Sequence, residues 1–411
     1  MRGTIKFVDK KTGKWGFIIP EGGGDDLHFY LSDCVGPPPT YMDASAPVEL
    51  EIETDDQGRT HCRRVQLLVE PVPLPEWVPA RGLYFSLTNW GWIPLGDSDE
   101  DGKTSALEVL ADLALPETWH FGETPDPAHP WPLLDNYLRY TFVKLQREGN
   151  VLEASSTAGD YAVFNTGLVD RLFDPIYALF GSNPRHGMQR WAFIDFCVPG
   201  KGPSGKKLTA IFDPLPPAPS YFESNFDMLL DTSRDIHVDY EHVILDGIAR
   251  DRFPDEFLRQ NAPRRWEWQD YRTLPQPEVE DYLSRFAQAL NDDVQALRGI
   301  RNRLDDAKVL AEKRTRWNFK TAIPQWYPKL DLMSLLLPLC LLDDNVVDIA
   351  LVVSRNPSGS YQGRTVLTLP WAYKNARLVS RPDSDWLVPT AIPAEEDRPM
   401  HESDGTMTES A

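Results

Sequence analysis

Two short β-patterned runs close to the N-terminus constrain this chain more than any other feature. They read Lys14-Trp15-Gly16-Phe17-Ile18-Ile19 and Leu27-His28-Phe29-Tyr30-Leu31-Ser32. A strand turns successive side chains to opposite faces. Trp15 and Phe17 therefore share one face, and His28 and Tyr30 share one face of the next strand, while Phe29 and Leu31 point towards a core. Flat rings beside lysines make a platform on which unpaired bases stack. The competing reading packs Trp15 and Phe17 beneath a neighbouring domain, because a one-residue slip in register turns every ring to the other side. Local charge favours a binding face: Arg2, Lys6, Lys10, Lys11 and Lys14 stand against Asp9 alone before Pro20.

Gly3-Thr4-Ile5-Lys6-Phe7, the Gly13 to Ile18 run, Pro20 and the Leu27 to Ser32 run together resemble a cold-shock domain. The resemblance covers about residues 1–70. It implies an all-β, five-stranded OB-type barrel that binds single-stranded RNA or DNA. Gly13-Lys14-Trp15-Gly16-Phe17-Ile18 takes the place of the family's first motif, and Leu27-His28-Phe29-Tyr30-Leu31 that of its second. Carried over position by position, Phe7, Trp15, Phe17, His28 and Tyr30 fall on stacking positions, and Lys6 and Lys14 are placed to meet phosphates. Phe7 stands where the family usually has Trp, His28 replaces a Phe, and Leu31 loses a ring. These departures imply weaker binding, or binding made sensitive to pH by His28.

A length of 411 residues predicts two or three domains. The formal charge of −20 argues against broad coating of nucleic acid, so contact has to come from local basic patches. Cys34, Cys62, Cys197 and Cys340 form no CxxC pair and read as reduced thiols. The opening at Met1 does not read as a signal peptide. The longest apolar run, Leu332 to Leu342, is too short to span a bilayer. A cytoplasmic, membrane-free protein is expected.

The architecture expected is multidomain: a barrel over residues 1–70, a Pro-rich linker over 71–80, a larger α+β domain over 81–388, and a disordered acidic tail over 389–411. Ser105 to Leu115, Leu133 to Arg147 and the long stretch from Glu278 to Arg316 read as helices. Tyr161 to Phe164, Trp191 to Val198, Leu208 to Phe212 and Ile236 to Leu245 read as strands. Val346 to Val353 and Arg364 to Leu369 flank Asn356-Pro357-Ser358-Gly359, a hairpin signal.

Several segments of the second domain carry candidate chemistry. Gly200-Lys201-Gly202-Pro203-Ser204-Gly205-Lys206-Lys207 approaches a phosphate-binding loop, but Lys207 stands where that motif needs Ser or Thr. With a strand expected next, it reads as a hairpin with a basic tip. His237, Asp239 and Glu241 would share one face of a strand, as divalent-ion ligands or, preferred, as a solvated face; no metal and no cofactor is assigned. Asp195 and Asp348 sit in apolar runs and read as site residues or, preferred, as halves of buried ion pairs. Between Arg298 and Lys320, eight basic residues stand against Asp305, Asp306 and Glu312, with Trp317 and Phe319 interleaved. Lys313, Arg314, Arg316 and Lys320 thus make a secondary basic patch that suits an RNA backbone, or one helix face stitched by ion pairs. Tyr361-Gln362-Gly363-Arg364-Thr365 and Tyr373-Lys374-Asn375-Ala376-Arg377 read as caps of element ends in preference to an anion pocket.

Leu134-Asp135-Asn136-Tyr137-Leu138-Arg139-Tyr140-Thr141, Phe164-Asn165-Thr166-Gly167-Leu168 and Tyr361 through Leu378 resemble a microbial domain of unknown function, sometimes joined to cold-shock modules. That resemblance supplies no reaction and no catalytic residue. Common enzyme signatures do not occur. The leading expectation is a single-stranded nucleic-acid binder, with RNA the expected partner. An RNA-processing enzyme, as metal-assisted nuclease or phosphoryl-transfer type, and a scaffold meeting a protein partner through residues 81–388 stay open.

Overall fold

The computed structural model describes residues 1–9, 14–40, 43–54, 60–69, 79–96, 105–157, 159–185 and 187–394. The expected linker lies almost wholly outside these, as do Lys10, Lys11 and Gly13 of the basic opening.

The first five strands are β1 (Arg2–Val8), β2 (Trp15–Pro20), β3 (Leu27–Tyr30), β4 (Pro47–Thr54) and β5 (Thr60–Leu67). They close a barrel in the order β1-β2-β3-β5-β4, with β1 returning to β4. The β3–β5 pair is parallel and the other pairs are antiparallel. Alternation, broken by register shifts in β1 and in the β4–β5 pair, fills the interior with Ile5, Val8, Ile18, Phe29, Val48, Leu50, Cys62 and Val65. Gly16 is there for space: a Cβ would lie 2.5 Å from the Phe7 carbonyl oxygen and 2.7 Å from the Phe29 ring. Phe29 can fill the barrel only because Gly16 has no side chain.

The rest of the described chain alternates sheets with helices. The next elements are α1 (Ser86–Trp90), β6 (Gly91–Trp92), α2 (Ala106–Leu113), α3 (Pro132–Glu148), β7 (Leu152–Ser156), β8 (Gly159–Val169), β9 (Pro175–Ser182), β10 (Trp191–Cys197) and α4 (Gly202–Ile211). They build a sheet in the order β6-β10-β9-β8-β7. A second sheet, β11-β15-β14-β13-β12, comes from β11 (Ile236–Val238), β12 (Ile323–Tyr327), β13 (Leu332–Leu339), β14 (Ile349–Arg355) and β15 (Tyr361–Thr368). Its helices are α5 (Tyr240–Ala249), α6 (Asp255–Gln260), α7 (Gln276–Asp292), α8 (Val294–Trp317) and α9 (Leu369–Val379).

Side-chain parity explains how two sheets share one body. On β13, Leu336 joins a core with Phe142 of α3, Ala372 of α9 and Phe164 of β8. Leu335, Leu337 and Leu339 face the other way, onto Phe286 of α7 and Ile300 of α8. The first sheet repeats the pattern: Phe164 and Phe180 face the shared core, while Val163 and Leu179 face Leu208 of α4. Helices α3 and α9 therefore lie between the sheets, with further helices outside each. The Leu332 to Leu342 run is apolar because β13 is covered on both faces. No helix among the described residues is long and apolar enough to cross a membrane. Each fully buried Phe or Leu in these layers contributes about 1.5–3 kcal/mol.

Helix α3 begins with Pro132 in its first turn and ends at Gly149, whose φ of 71° lets the chain turn out of the helix. Ser105 caps α2 by accepting from the Leu107 amide at 3.2 Å. The long helical stretch is two helices, broken at Asp293, whose carboxylate caps α8.

Several expectations are corrected. Leu208 to Phe212 is the end of a helix: α4 starts at Gly202-Pro203 and sets Leu208 into a core of the first sheet. Ile236 to Leu245 is a three-residue strand followed by α5, because Asp239 accepts from the His242 amide and starts a helix. Asp195 accepts from the Ser204 hydroxyl at 2.6 Å, and Asp348 from the amides of Leu341 and Leu342; neither is half of a buried ion pair. The tail does not begin at Pro389: Pro389–Ala391 form a helical turn and Ile392 is buried in the shared core. Residues 395–411 lie outside the described residues.

Candidate nucleic-acid interface

The pairing of the first three strands brings the predicted rings together. Phe7 is opposite Phe17, Phe17 opposite His28, and Trp15 opposite Tyr30. All five rings lie outside the barrel in one patch. Ring centroids are 5.6 Å apart for Phe7 and Trp15, 5.5 Å for Phe7 and Phe17, 5.7 Å for Trp15 and His28, and 4.7 Å for His28 and Tyr30. Phe7 is 39% and Tyr30 50% exposed, and Trp15, Phe17 and His28 are half-buried against one another. Among the described residues no other segment covers Phe7 or Tyr30.

A register shift between Ile5 and Phe7 turns both Lys6 and Phe7 outward, so one bulge serves a cation and a ring. Lys6 forms an exposed ion pair with Asp26, and Lys14 stands exposed just ahead of β2. An exposed pair of this kind contributes about 0–1 kcal/mol, so Lys6 can exchange Asp26 for a phosphate at little cost. Burial, reinforced by Asp33, pushes the thiols of Cys34 and Cys62 up to about 11. They are therefore protonated, not nucleophilic, near neutral pH.

The secondary basic patch is thinner than its sequence. Arg314 reaches Cys340 Sγ at 3.1 Å and bonds the Asp344 carbonyl, which ties it to the fold. Lys320 pairs with Asp383, and Arg316 reaches the Thr232 carbonyl at 3.4 Å. Lys313 is exposed, as is Trp317 at 89%.

The Gly200 to Lys207 segment is a strand–turn–helix, not a hairpin. It is spent on structure all the same: Lys201 pairs with Asp170 at 2.8 Å and Asp174 at 2.7 Å. A Cβ on Gly205 would meet the Val198 carbonyl at 2.0 Å, so this glycine permits a close turn. His237, Asp239 and Glu241 do not share a strand face; they lie on β11, at the cap of α5 and in its first turn. Among the described residues no cluster of His, Cys, Asp and Glu has the arrangement of a metal site.

The runs Tyr361 to Thr365 and Tyr373 to Arg377 are divided in role. Arg377 is buried in an ion pair with Glu117, and Arg364 bonds Ser354. Lys374 and Asn375 line a cleft of about 1270 Å³, so the preference for element caps does not hold for them. That cleft also takes Trp371 from the same helix, and Tyr84, Trp131, Asp135, Asn136 and Arg139 from two other segments. Arg139 Nε bonds both oxygens of Asp135, at 2.8 and 2.9 Å, and its guanidinium lies 4.3 Å from the centre of the Tyr84 ring. The Tyr84 hydroxyl donates to Asp135, and burial together with that carboxylate holds its pKa well above the ordinary tyrosine value. Sequence reasoning gave Asp135, Asn136 and Arg139 no role, although they stand in one of the segments that resembled a known domain.

A family model described as a domain of unknown function, DUF3825, matches residues 110–386. The match takes in α3 to α9 and β7 to β15, and leaves the barrel outside it. No curated protein matches the chain significantly. Since the family model spans more than half of the 411 residues, the chain belongs to the DUF3825 family.

Proposed function

We propose that this protein binds single-stranded nucleic acid, RNA in the first place, through the ringed outer face of its barrel, and that the barrel is of the OB type found in cold-shock domains. The observation that carries the reading is the convergence of Phe7, Trp15, Phe17, His28 and Tyr30 on one open face, with Lys6 and Lys14 at its side. Five exposed or half-exposed rings are costly to leave in water, and nucleobases offer each of them a flat apolar partner. The barrel's strand order supports the same reading, because OB-type barrels are five-stranded and bind oligonucleotides on one face. The strong negative charge of the whole chain favours binding through a local face, with few phosphates neutralised and a shallow salt dependence.

Fluorescently labelled single-stranded RNA, single-stranded DNA and duplex of one sequence would be titrated with the full chain and with Trp15→Ala and Phe17→Ala. Single strands should bind in preference to duplex, and each ring removed should weaken binding by about 1–3 kcal/mol. Parental affinity in both variants, with the fold intact, would overturn the reading.

A further inference from the structure

The cleft formed by the DUF3825 region and the segment ahead of it is a second site with a chemistry of its own. Its walls carry Tyr84, Trp131 and Trp371, none of them fully buried. Lys374 Nζ lies 4.8 Å from the centre of the Trp371 ring, so a cation and a ring face stand together. Lys329 enters from the turn after β12 and is exposed. Two carboxylates also line the cleft, Glu108 and Asp135; Arg139 answers Asp135, and Lys329 and Lys374 together outweigh Glu108. The lining is therefore cationic on balance in a chain whose overall charge is −20.

The deep side of the cleft is amide-lined. Asn375 is 7% exposed, and its Nδ2 donates to Gln325 at 3.1 Å. Asn136 is 9% exposed and lines the cleft, and among the described residues its side-chain amide meets no hydrogen-bond partner. An amide that opens onto the cleft offers an entering ligand both a donor and an acceptor. Rings that accept a flat heterocycle, an amide that reads a hydrogen-bonding edge, and lysines that hold an anion correspond to the three parts of a nucleotide. A volume near 1270 Å³ exceeds what a small carboxylate needs.

We propose that this cleft binds a phosphorylated nucleoside, its base between the aromatic walls and against Asn136, its phosphate towards Lys374 and Lys329. The ligand is either a free mononucleotide or the phosphate-bearing end of a single strand. The inference does not rest on the barrel reading, since none of the barrel's residues lines the cleft.

Calorimetric titration would use the full chain carrying Trp15→Ala and Phe17→Ala, which removes the barrel face. The probes are AMP, GMP, CMP and UMP, adenosine, inorganic phosphate, and a short RNA with a 5′-phosphate or a 5′-hydroxyl. At least one mononucleotide or the phosphorylated strand should bind saturably, with adenosine and inorganic phosphate each at least about tenfold weaker. Binding of mononucleotides identifies a free ligand; binding of the phosphorylated strand alone identifies a strand end. Trp371→Ala and Lys374→Met should each weaken binding about tenfold, the loss expected for one charged or stacking contact. Lys329→Ala, a change at an exposed position, should do so without touching the fold. No saturable binding of any nucleotide or strand, or undiminished binding in all three cleft variants, overturns the proposal. Either result leaves the barrel test above unaffected.

Discussion

Trp15 and His28 lie nearly face to face on adjacent strands, with ring centroids 5.7 Å apart and planes 28° from parallel. Phe17 and Tyr30 meet His28 edge-on, at 5.3 and 4.7 Å. His28 is thus a hub of the patch together with Trp15 and Phe17, each touching three of the other four rings, and it alone of the three meets Tyr30. Replacing it by Ala should weaken single-strand binding by about 1–3 kcal/mol, whereas His28→Phe keeps a ring at the hub and should bind at least as tightly as the parent. Competition titrations with one labelled oligomer compare the two. Equal loss in both variants would mean that the imidazole, and not a flat ring, is what the ligand needs.

The barrel face was legible because it is local. Trp15, Phe17, His28 and Tyr30 lie on two consecutive strands, where the period-two rule places each ring without any knowledge of distant contacts; Phe7, turned outward by the bulge in β1, was placed only by the cold-shock resemblance. The cleft was not legible for the opposite reason. Tyr84, Asn136 and Trp371 come from segments far apart in sequence, and no periodicity states which segments meet. Leu134 to Thr141 shows the halfway case: its spacing gave the helix, but not that Asn136 and Arg139 open onto a cavity. The errors at Leu208 to Phe212 and Ile236 to Leu245 share a cause. Both runs are β-branched or aromatic, yet a start signal just upstream, Gly202-Pro203 in one and Asp239 in the other, commits the backbone to a helix, and packing overrides the weak strand preference. The helix-capping role of Asp239 was there to find, since Asp is a favoured N-cap.

Arg377 and Glu117 tie α9 to the segment ahead of α3 through a two-pronged ion pair, with the second contact at 2.8 Å and both side chains under a tenth exposed. The guanidinium also lies 4.7 Å from the centre of the Trp119 ring and 4.5 Å from that of Tyr137. Arg377→Met leaves a buried carboxylate without its partner and should cost about 3–5 kcal/mol. Glu117→Gln strands the cation in the same way. The double variant should lose much less than the sum of the two, because most of each single loss is the uncompensated charge. Urea unfolding of the four proteins closes the cycle. Additive losses would show that the two groups act independently.

Asp251 makes the stability of this region depend on pH, and the sign is fixed by its surroundings. Burial pushes its carboxyl up from 3.8 to about 6, against the pull of Arg272 at 3.1 Å and with a push from Asp255. Below its unfolded value the group is protonated in both states and costs nothing. As pH rises through about 6, the folded protein must ionise a mostly buried carboxyl that the unfolded chain has already ionised in water. The stability present in acid is therefore lost on the way to neutral pH, by at most about 3 kcal/mol for a shift of roughly two units. Asp251→Asn removes that titration. The variant should gain on the parent as pH goes from below ~4 to above ~7, and any constant loss from its weakened contact with Arg272 cancels in the difference. Parallel unfolding curves at the two pH values, with no change in the gap between variant and parent, would show that Asp251 ionises as freely in the folded protein as in water.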